Sequence, residues 1–295
     1  MIEVINSFLI YLKSEKNYSD KTVINYESDL DEFVKFHTNQ THNFDVVKVD
    51  EEDIRLWVIN LMENHLKETS VNRKLSCLRS FYKYLLYKGI ISKDPTRRIV
   101  GPKRKKALPV FIKVEDMKKV LSKDNFEEGY KGVRDHTVID MFYETGMRLS
   151  ELMNLRNEDI DMISMKIKVT GKRNKQRYIP FGQTLKDEIE EYIISRNKNI
   201  EAKCNAFFLR ENGLALYPNL IYNIVKQHLS KVVSIKKKSP HVLRHTFATA
   251  MLNNEASLSA VKDLLGHERL STTEIYTHTT FEELRKNYKR AHPRA

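Results

Sequence analysis

Apolar residues recur at steps of three and four through much of the chain, the spacing of one buried stripe on a helix. Ile2, Ile5, Phe8, Leu9 and Leu12 open the pattern. Ser19 is placed to cap a second helix carrying Val23, Tyr26, Leu30, Phe33 and Val34. A third starts at Asp50, with Asp53 at the N3 position, and turns Ile54, Trp57, Val58 and Leu61 inward. The fourth follows Thr69-Ser70, carries Val71, Leu75, Leu78, Phe81, Tyr82 and Leu85, and stops near Gly89. Four helices on short connections predict a small bundle over residues 1–93. Lys67, Arg73, Lys74, Arg79 and Lys83 are its exposed bases, suited to phosphates or simply to a solvated face.

From residue 113 the pattern is mixed. A short helix at 115–121 precedes a stronger one from Gly132 to Glu144, broken at Thr145-Gly146. Ile160 to Thr170 alternates, with Ile163, Met165, Ile167 and Val169 on one side, which is the period of a strand. Gly171-Lys172-Arg173-Asn174-Lys175 reads as a turn, and Gln176 to Phe181 as the returning strand. Helices resume at 183–198, 217–233, 241–254, 259–265 and 281–290. Asn253 and Asn254, ahead of Glu255, are the residues suited to a left-handed turn. The fold class is therefore mainly α: a four-helix N-terminal bundle, then a mixed, mostly helical domain with a small antiparallel β-sheet.

Composition narrows the classes of function. Hydrophobic residues make up 41% of the 295, enough for packed cores, which argues against a disordered chain. No run approaches the roughly eighteen apolar residues of a membrane span. The first sixteen residues lack the basic-then-apolar layout of a signal peptide. Cys77 and Cys204 belong to no spaced cluster, which fits a reducing cytoplasm rather than a disulfide or zinc framework.

Charge is uneven along the chain. Residues 1–100 hold 15 bases and 15 acids, so residues 101–295 carry the entire +12 (36 bases against 24 acids). Arg97, Arg98, Lys103, Arg104, Lys105, Lys106 and Lys113 form a run without an acid, interleaved with Gly101, Pro102 and Pro109. Residues 94–112 thus read as an extended basic connector, suited to an acidic polymer such as nucleic acid or to a solvated linker.

Common enzyme signatures are missing: there is no P-loop and no G-x-S-x-G elbow. His241 and His245 stand four apart, but Val242 occupies the place where a metalloprotease needs its glutamate. What remains is a set of donors. Arg148 follows Thr145-Gly146-Met147 at the start of a helix, where a guanidinium and exposed N–H groups suit a phosphate, and Glu151 stands one turn on. Lys172 sits in the hairpin turn, and His241 and Arg244 share a helix face. His267 follows Leu264-Leu265-Gly266, and Tyr276 lies nine residues further. Each alone has an ordinary structural explanation.

Together, in this order, they resemble the tyrosine site-specific recombinases, or phage-integrase family. The stretches Thr-Gly-Met-Arg-x-Ser-Glu-Leu, His-Val-Leu-Arg-His-Thr-Phe-Ala-Thr and Leu-Leu-Gly-His followed by Ile-Tyr-Thr-His are similar to its motif boxes. Chain length, the hairpin and the ending His292-Pro293-Arg294-Ala295 look most like the Xer recombinases. The resemblance implies a core-binding domain at 1–93, a basic linker at 94–112 and a catalytic domain at 113–295. It implies Tyr276 as nucleophile forming a 3′-phosphotyrosine, and Lys172 as the acid for the departing 5′ oxygen. Arg148 and Arg244 would bind the phosphate, His241 would accept the tyrosine proton and His267 would add a donor, with Glu151 behind Arg148. No metal or cofactor is implied. The implied partners are a double-stranded DNA recombination site and three further protomers, in a homo- or hetero-tetramer that passes through a Holliday junction. A second Xer recombinase and an activating DNA translocase are candidate partners, and no membrane is. Chromosome or plasmid dimer resolution is the implied role, favoured over a mobile-element integrase because the bundle starts almost at Met1. Arg173 departs from the family, standing where relatives often have glycine. The stripe Phe281, Leu284, Tyr288 would dock on a neighbouring protomer or fold back on its own domain.

Overall fold

The computed structural model describes residues 2–103, 110–171, 174–266 and 281–294. The chain forms two compact units, Met1–Ala107 and Leu108–Ala295. Among the described residues no helix is long and apolar enough to cross a membrane. The predicted class holds: helices dominate both units, and a small antiparallel sheet lies in the second.

The first unit is built from α1 (Ile2–Ser14), α2 (Asp20–Thr41), α3 (Glu51–Glu63) and α4 (Glu68–Tyr87). Local chemistry starts the middle two. Ser19 Oγ accepts from the Thr22 N–H at 3.3 Å. Asp50 Oδ1 accepts from the Glu52 and Asp53 N–H groups, while Asp53 returns a bond to the Asp50 N–H, a reciprocal box that satisfies orphan donors. The predicted stripes converge on Trp57, which meets the edge of Phe33 at 5.0 Å between centroids. Phe8, Leu30, Ile54, Leu75, Phe81 and Leu85 close around them.

Two expectations change here. Helix α4 begins at Glu68, so Thr69 and Ser70 lie inside its first turn. Lys74 is not an exposed base: it is buried, and its ammonium bonds to Asp29 at 3.1 Å and Glu32 at 2.6 Å. Lys67, Arg73, Arg79 and Lys83 remain exposed. Arg104, Lys105 and Lys106 of the basic connector lie outside the described residues.

The second unit runs α5 (Val114–Val120), α6 (Tyr130–Thr145), α7 (Leu149–Met153), β1 (Ile160–Asp161), β2 (Lys166–Thr170), β3 (Gln176–Pro180), α8 (Gln183–Asn199), α9 (Pro218–Val232), α10 (Pro240–Asn253), α11 (Leu258–Leu265) and α12 (Phe281–Ala291). The strands pair antiparallel in the order β1-β2-β3, with Ile167 opposite Ile179 and Val169 opposite Arg177. The single alternating strand expected over 160–170 is instead a tight hairpin. Asp161 Oδ1 accepts from the N–H groups of Ile163 (3.1 Å) and Ser164 (2.8 Å), a side-chain turn that competes with extended backbone. Ile163 is left 94% exposed. At the end of α10 it is Glu255, not an asparagine, that takes the left-handed conformation (φ 62°). Its carbonyl accepts from Arg290 at 2.7 Å and Asn254 donates to Ala291 at 2.8 Å, so contacts with α12 accompany the turn.

Helix α6 is buried nearly all round and packs on α8 and α10. Burying its charges requires partners. His136 Nδ1 lies 2.9 Å from Glu188, and Arg134 pairs with Asp135 at 2.7 Å. Asp140 and Glu144 are matched by the far end of the chain. Arg294 meets Asp140 at 2.7 Å and Glu144 at 3.3 Å, and the Tyr288 hydroxyl donates to Glu144 at 3.1 Å. Of the two docking modes considered for Phe281, Leu284 and Tyr288, the structure has the stripe folded on its own unit, with Tyr288 fully buried and stacked on His292.

Burial pushes the Asp140 carboxyl up to about 6 against the pull of Arg294, and pushes Glu144 well above its usual value. A carboxyl raised on folding stabilises below its unfolded value, and that contribution is lost as pH rises through the folded one. Arg294→Ala removes the counter-charge and will cost about 3 kcal/mol near pH 8. The loss will shrink near pH 5, as thermal unfolding at the two pH values will measure.

Candidate active site

Two of the singled-out residues, Arg148 and Arg244, converge at one end of α11 with Glu151 beside them and Arg177 as a third donor. The last carbonyls of a helix have no partner within it, and they carry the negative end of its dipole. Here three arginines take three successive ones. Arg177 Nε donates to the Leu264 carbonyl at 2.7 Å, Arg244 Nη2 to that of Leu265 at 2.6 Å, and Arg148 Nη2 to that of Gly266 at 2.8 Å. Arg244 Nη1 reaches a second helix end, the Gly146 carbonyl that closes α6, at 2.7 Å.

Both helix ends turn on glycine. Gly146 (φ 59°) and Gly266 (φ 63°) adopt the left-handed conformation. A Cβ on Gly146 would stand 2.4 Å from Phe247 Cδ1, and one on Gly266 would stand 3.0 Å from Arg177 Nη1. Space and backbone angle together require the missing side chain.

Glu151 is the counter-ion. Its side chain is 1% exposed. Oε1 accepts from Arg148 Nη1 (2.8 Å) and Arg177 Nη1 (2.8 Å), and Oε2 from the Arg148 N–H (2.7 Å) and Arg177 Nη2 (3.0 Å). These four donors match a carboxylate's roughly four acceptor positions. Burial pushes the Glu151 carboxyl up, but the bonds and charge of Arg177, followed by the bonds from Arg148, outweigh it and hold the group at about 2. Burial and then the positive charge of Arg148 lower Arg244 to about 10, so it stays cationic at neutral pH.

Three guanidiniums around one carboxylate leave a surplus of positive charge. Arg148, with 32% of its side chain exposed, presents that surplus to solvent. An anion with several oxygens, such as a phosphodiester, fits the forked donors.

His241 lies on α10 one turn before Arg244 and is exposed. Its Nε2 is 3.1 Å from Nε2 of His245, so the bond between the rings needs one donor and one acceptor. Gly171 lies close to the cluster: a Cβ there would stand 3.7 Å from Glu151 Oε1. Lys172, Arg173, His267 and Tyr276 lie outside the described residues.

Arg177 is not singled out by the sequence, and His245 enters there only as a metal-site partner of His241. For Arg177 a signal existed. The alternation of β3 puts it on the inward face with Ile179, and an arginine at such a position calls for a buried carboxylate.

Comparison with known proteins gives a consistent picture. A model described as "Phage integrase family" matches residues 111–283, and one described as "Phage integrase, N-terminal SAM-like domain" matches residues 5–89. A protein named tyrosine recombinase XerC from Staphylococcus aureus (strain NCTC 8325 / PS 47) is 40% identical over 299 residues, covering 100% of this chain and 98% of its own. The protein of the same name from Chlorobaculum tepidum is 37% identical over 317 residues, covering 99% and 94%. Among solved structures, the Tn1549 transposon integrase in complex with circular intermediate DNA superposes with a TM-score of 0.72 at 20% identity, covering 96% of this chain and 98% of that one. The XerH site-specific recombinase bound to its difH substrate gives 0.68 at 19%, covering 90% and 89%. At these identities the structures share the fold.

Two outcomes follow from the geometry. The stability that Glu151 contributes is present above its ordinary value and is lost as pH falls through about 2. The melting temperature of Glu151→Gln will therefore lie below wild type at neutral pH, and the gap will narrow as both are titrated toward pH 2. Gly146→Ala, strained in backbone and crowded by Phe247, will lose about 1–3 kcal/mol in urea unfolding.

Proposed function

The chain belongs to the phage integrase family, the tyrosine recombinases, and is a DNA strand transferase similar to proteins named XerC; from that premise we propose that it cuts and rejoins DNA at a specific site through a 3′-phosphotyrosine. The observation that carries the reading is the arginine cluster on α11, cationic and open to solvent at Arg148.

In this reading the Tyr276 hydroxyl oxygen attacks the scissile phosphorus. Its pKa of about 10 as a free side chain makes proton removal at neutral pH a task for the site. His241 accepts that proton, and His245 is hydrogen-bonded to it. Negative charge gathers on the nonbridging oxygens, where Arg148 and Arg244 supply fixed positive donors and His267 adds one more. The bond from phosphorus to the 5′ oxygen breaks, Lys172 protonates the leaving oxygen, and the phosphate stays on Tyr276. Rejoining reverses the step: a 5′ hydroxyl from the partner strand attacks the phosphotyrosine and Tyr276 recovers its proton. The phosphodiester bond energy is conserved in the covalent intermediate, so no nucleotide is consumed.

The solved structures of this fold bound to circular intermediate DNA and to a difH substrate support a protein that holds recombination-site DNA. We assign it to a homo- or hetero-tetramer on a double-stranded recombination site, exchanging strands in two rounds through a Holliday junction. We further propose chromosome or plasmid dimer resolution in the cytoplasm as its role, with a second recombinase and a DNA translocase as candidate partners; the likeness to proteins named XerC supports a Xer-type recombinase.

Incubation with a nicked duplex carrying the site, followed by denaturation, will give a covalent protein–DNA band, because the short fragment beyond the nick diffuses away. Tyr276→Phe will abolish the band while still binding the duplex. Arg148→Ala and Arg244→Ala will each slow its formation by about 10²–10³-fold. A band that survives in Tyr276→Phe would sink the assignment of the nucleophile.

A further inference from the structure

We propose that Arg177 is a positioning residue for strand transfer: through Glu151 it orients the Arg148 guanidinium, and through the Leu264 carbonyl it ties that arginine to the end of α11 that leads into His267. The inference rests on the reading of Arg148 as a phosphate-binding arginine.

Arg177 sits on β3, five positions after Lys172 in the chain and opposite the buried Val169. Its side chain is 15% exposed. The planar fork is committed to protein groups: two bonds to Glu151, at 2.8 and 3.0 Å, and one from Nε to the Leu264 carbonyl at 2.7 Å. One rigid guanidinium thus fixes a carboxylate and a helix end at once, which a lysine's single ammonium cannot reproduce.

The carboxylate relays this order. Glu151 receives two donors from Arg177 and two from Arg148. With Arg177 gone, half of the donors leave while burial remains, and a buried carboxyl short of donors takes up a proton. A neutral Glu151 no longer holds Arg148 as an ion pair. Arg148 then keeps its bond to the Gly266 carbonyl, and its fork is free to swing about that contact. A pair of this kind contributes little net stability compared with apolar packing, which favours orientation as its role.

The test uses the full chain and the nicked duplex. In Arg177→Gln the rate of covalent complex formation near pH 7.5 will fall about 10²-fold, with duplex affinity kept within about threefold. The deficit will deepen as pH falls below neutral, because Glu151, left with Arg148 and the charge of Arg244, is raised in the variant. In Arg177→Gln/Glu151→Gln the loss will be smaller than the product of the two single losses, its excess over Glu151→Gln reflecting the Leu264 contact, and it will not deepen. Arg177→Lys will be intermediate in rate with the wild-type pH profile. An unchanged rate, or a pH-independent loss that multiplies with that of Glu151→Gln, overturns the proposal. If Arg177→Gln fails to fold, a wild-type rate in Arg177→Lys does the same.

If wild type gives no covalent band, the strand-transfer reading fails, and Arg177 is judged by inorganic phosphate instead. Phosphate will raise the wild-type melting temperature, and Arg148→Gln and Arg177→Gln will each lose that shift. A shift kept in Arg177→Gln, or absent in wild type, overturns the positioning role.

Discussion

Everything in the second unit is arranged around one unfavourable convergence, three guanidiniums meeting at the end of an eight-residue helix. Like charges come together there because α11 offers the negative end of its dipole and carbonyls with no helical partner, and because Glu151 is buried among them. Each arginine arrives from a different element: Arg148 from the start of α7, Arg177 from β3, Arg244 from α10. The shared carbonyls therefore set the mutual placement of a helix start, a strand and a helix face. Glycine at the ends of α6 and α11 follows from the same constraint, since a side chain at either would strike Phe247 or Arg177.

The buried acids of α6 extend this scheme in the opposite sense. Where Glu151 is held ionised by a full set of four donors, Asp140 and Glu144 face one arginine and a phenol, and burial raises both. Helix α12 and the residues after it are thereby bound to the helix whose C-terminal carbonyl receives Arg244. The two networks meet near the C-terminal end of one helix, Glu144 standing two residues before the Gly146 carbonyl that receives Arg244.

Much of this was legible from pattern. Helical stripes and the caps at Ser19 and Asp50 are local, and local chemistry decided them. Arg148, Glu151 and Arg244 carried motif spacing that survives without knowledge of the fold. What escaped depended on contacts distant in sequence. Lys74 reads as a surface base until Asp29 and Glu32 come alongside from α2. The alternation over 160–170 concealed the Asp161 turn, because apolar residues at even spacing look the same on either side of a tight bend. Glu255 takes a conformation better suited to the asparagines before it, in a turn whose carbonyl is bonded by Arg290. Arg177 was passed over because its partners lie on α7 and α11, neither of them adjacent to β3 in the chain.

The pairing of Arg294 with Asp140 also bears on how the protein is made. These residues are 154 positions apart. A ribosome adds about 5–20 residues per second, so ~8–30 s separate the synthesis of the acid from that of its counter-ion. The first unit draws its core from residues up to Ile99, all of them made before either partner of that pair. The second has its longest-buried helix in hand for most of that interval with two carboxylates that water still has to solvate. Until Arg294 is made, those two acids lack the counter-ion that they meet in the folded unit.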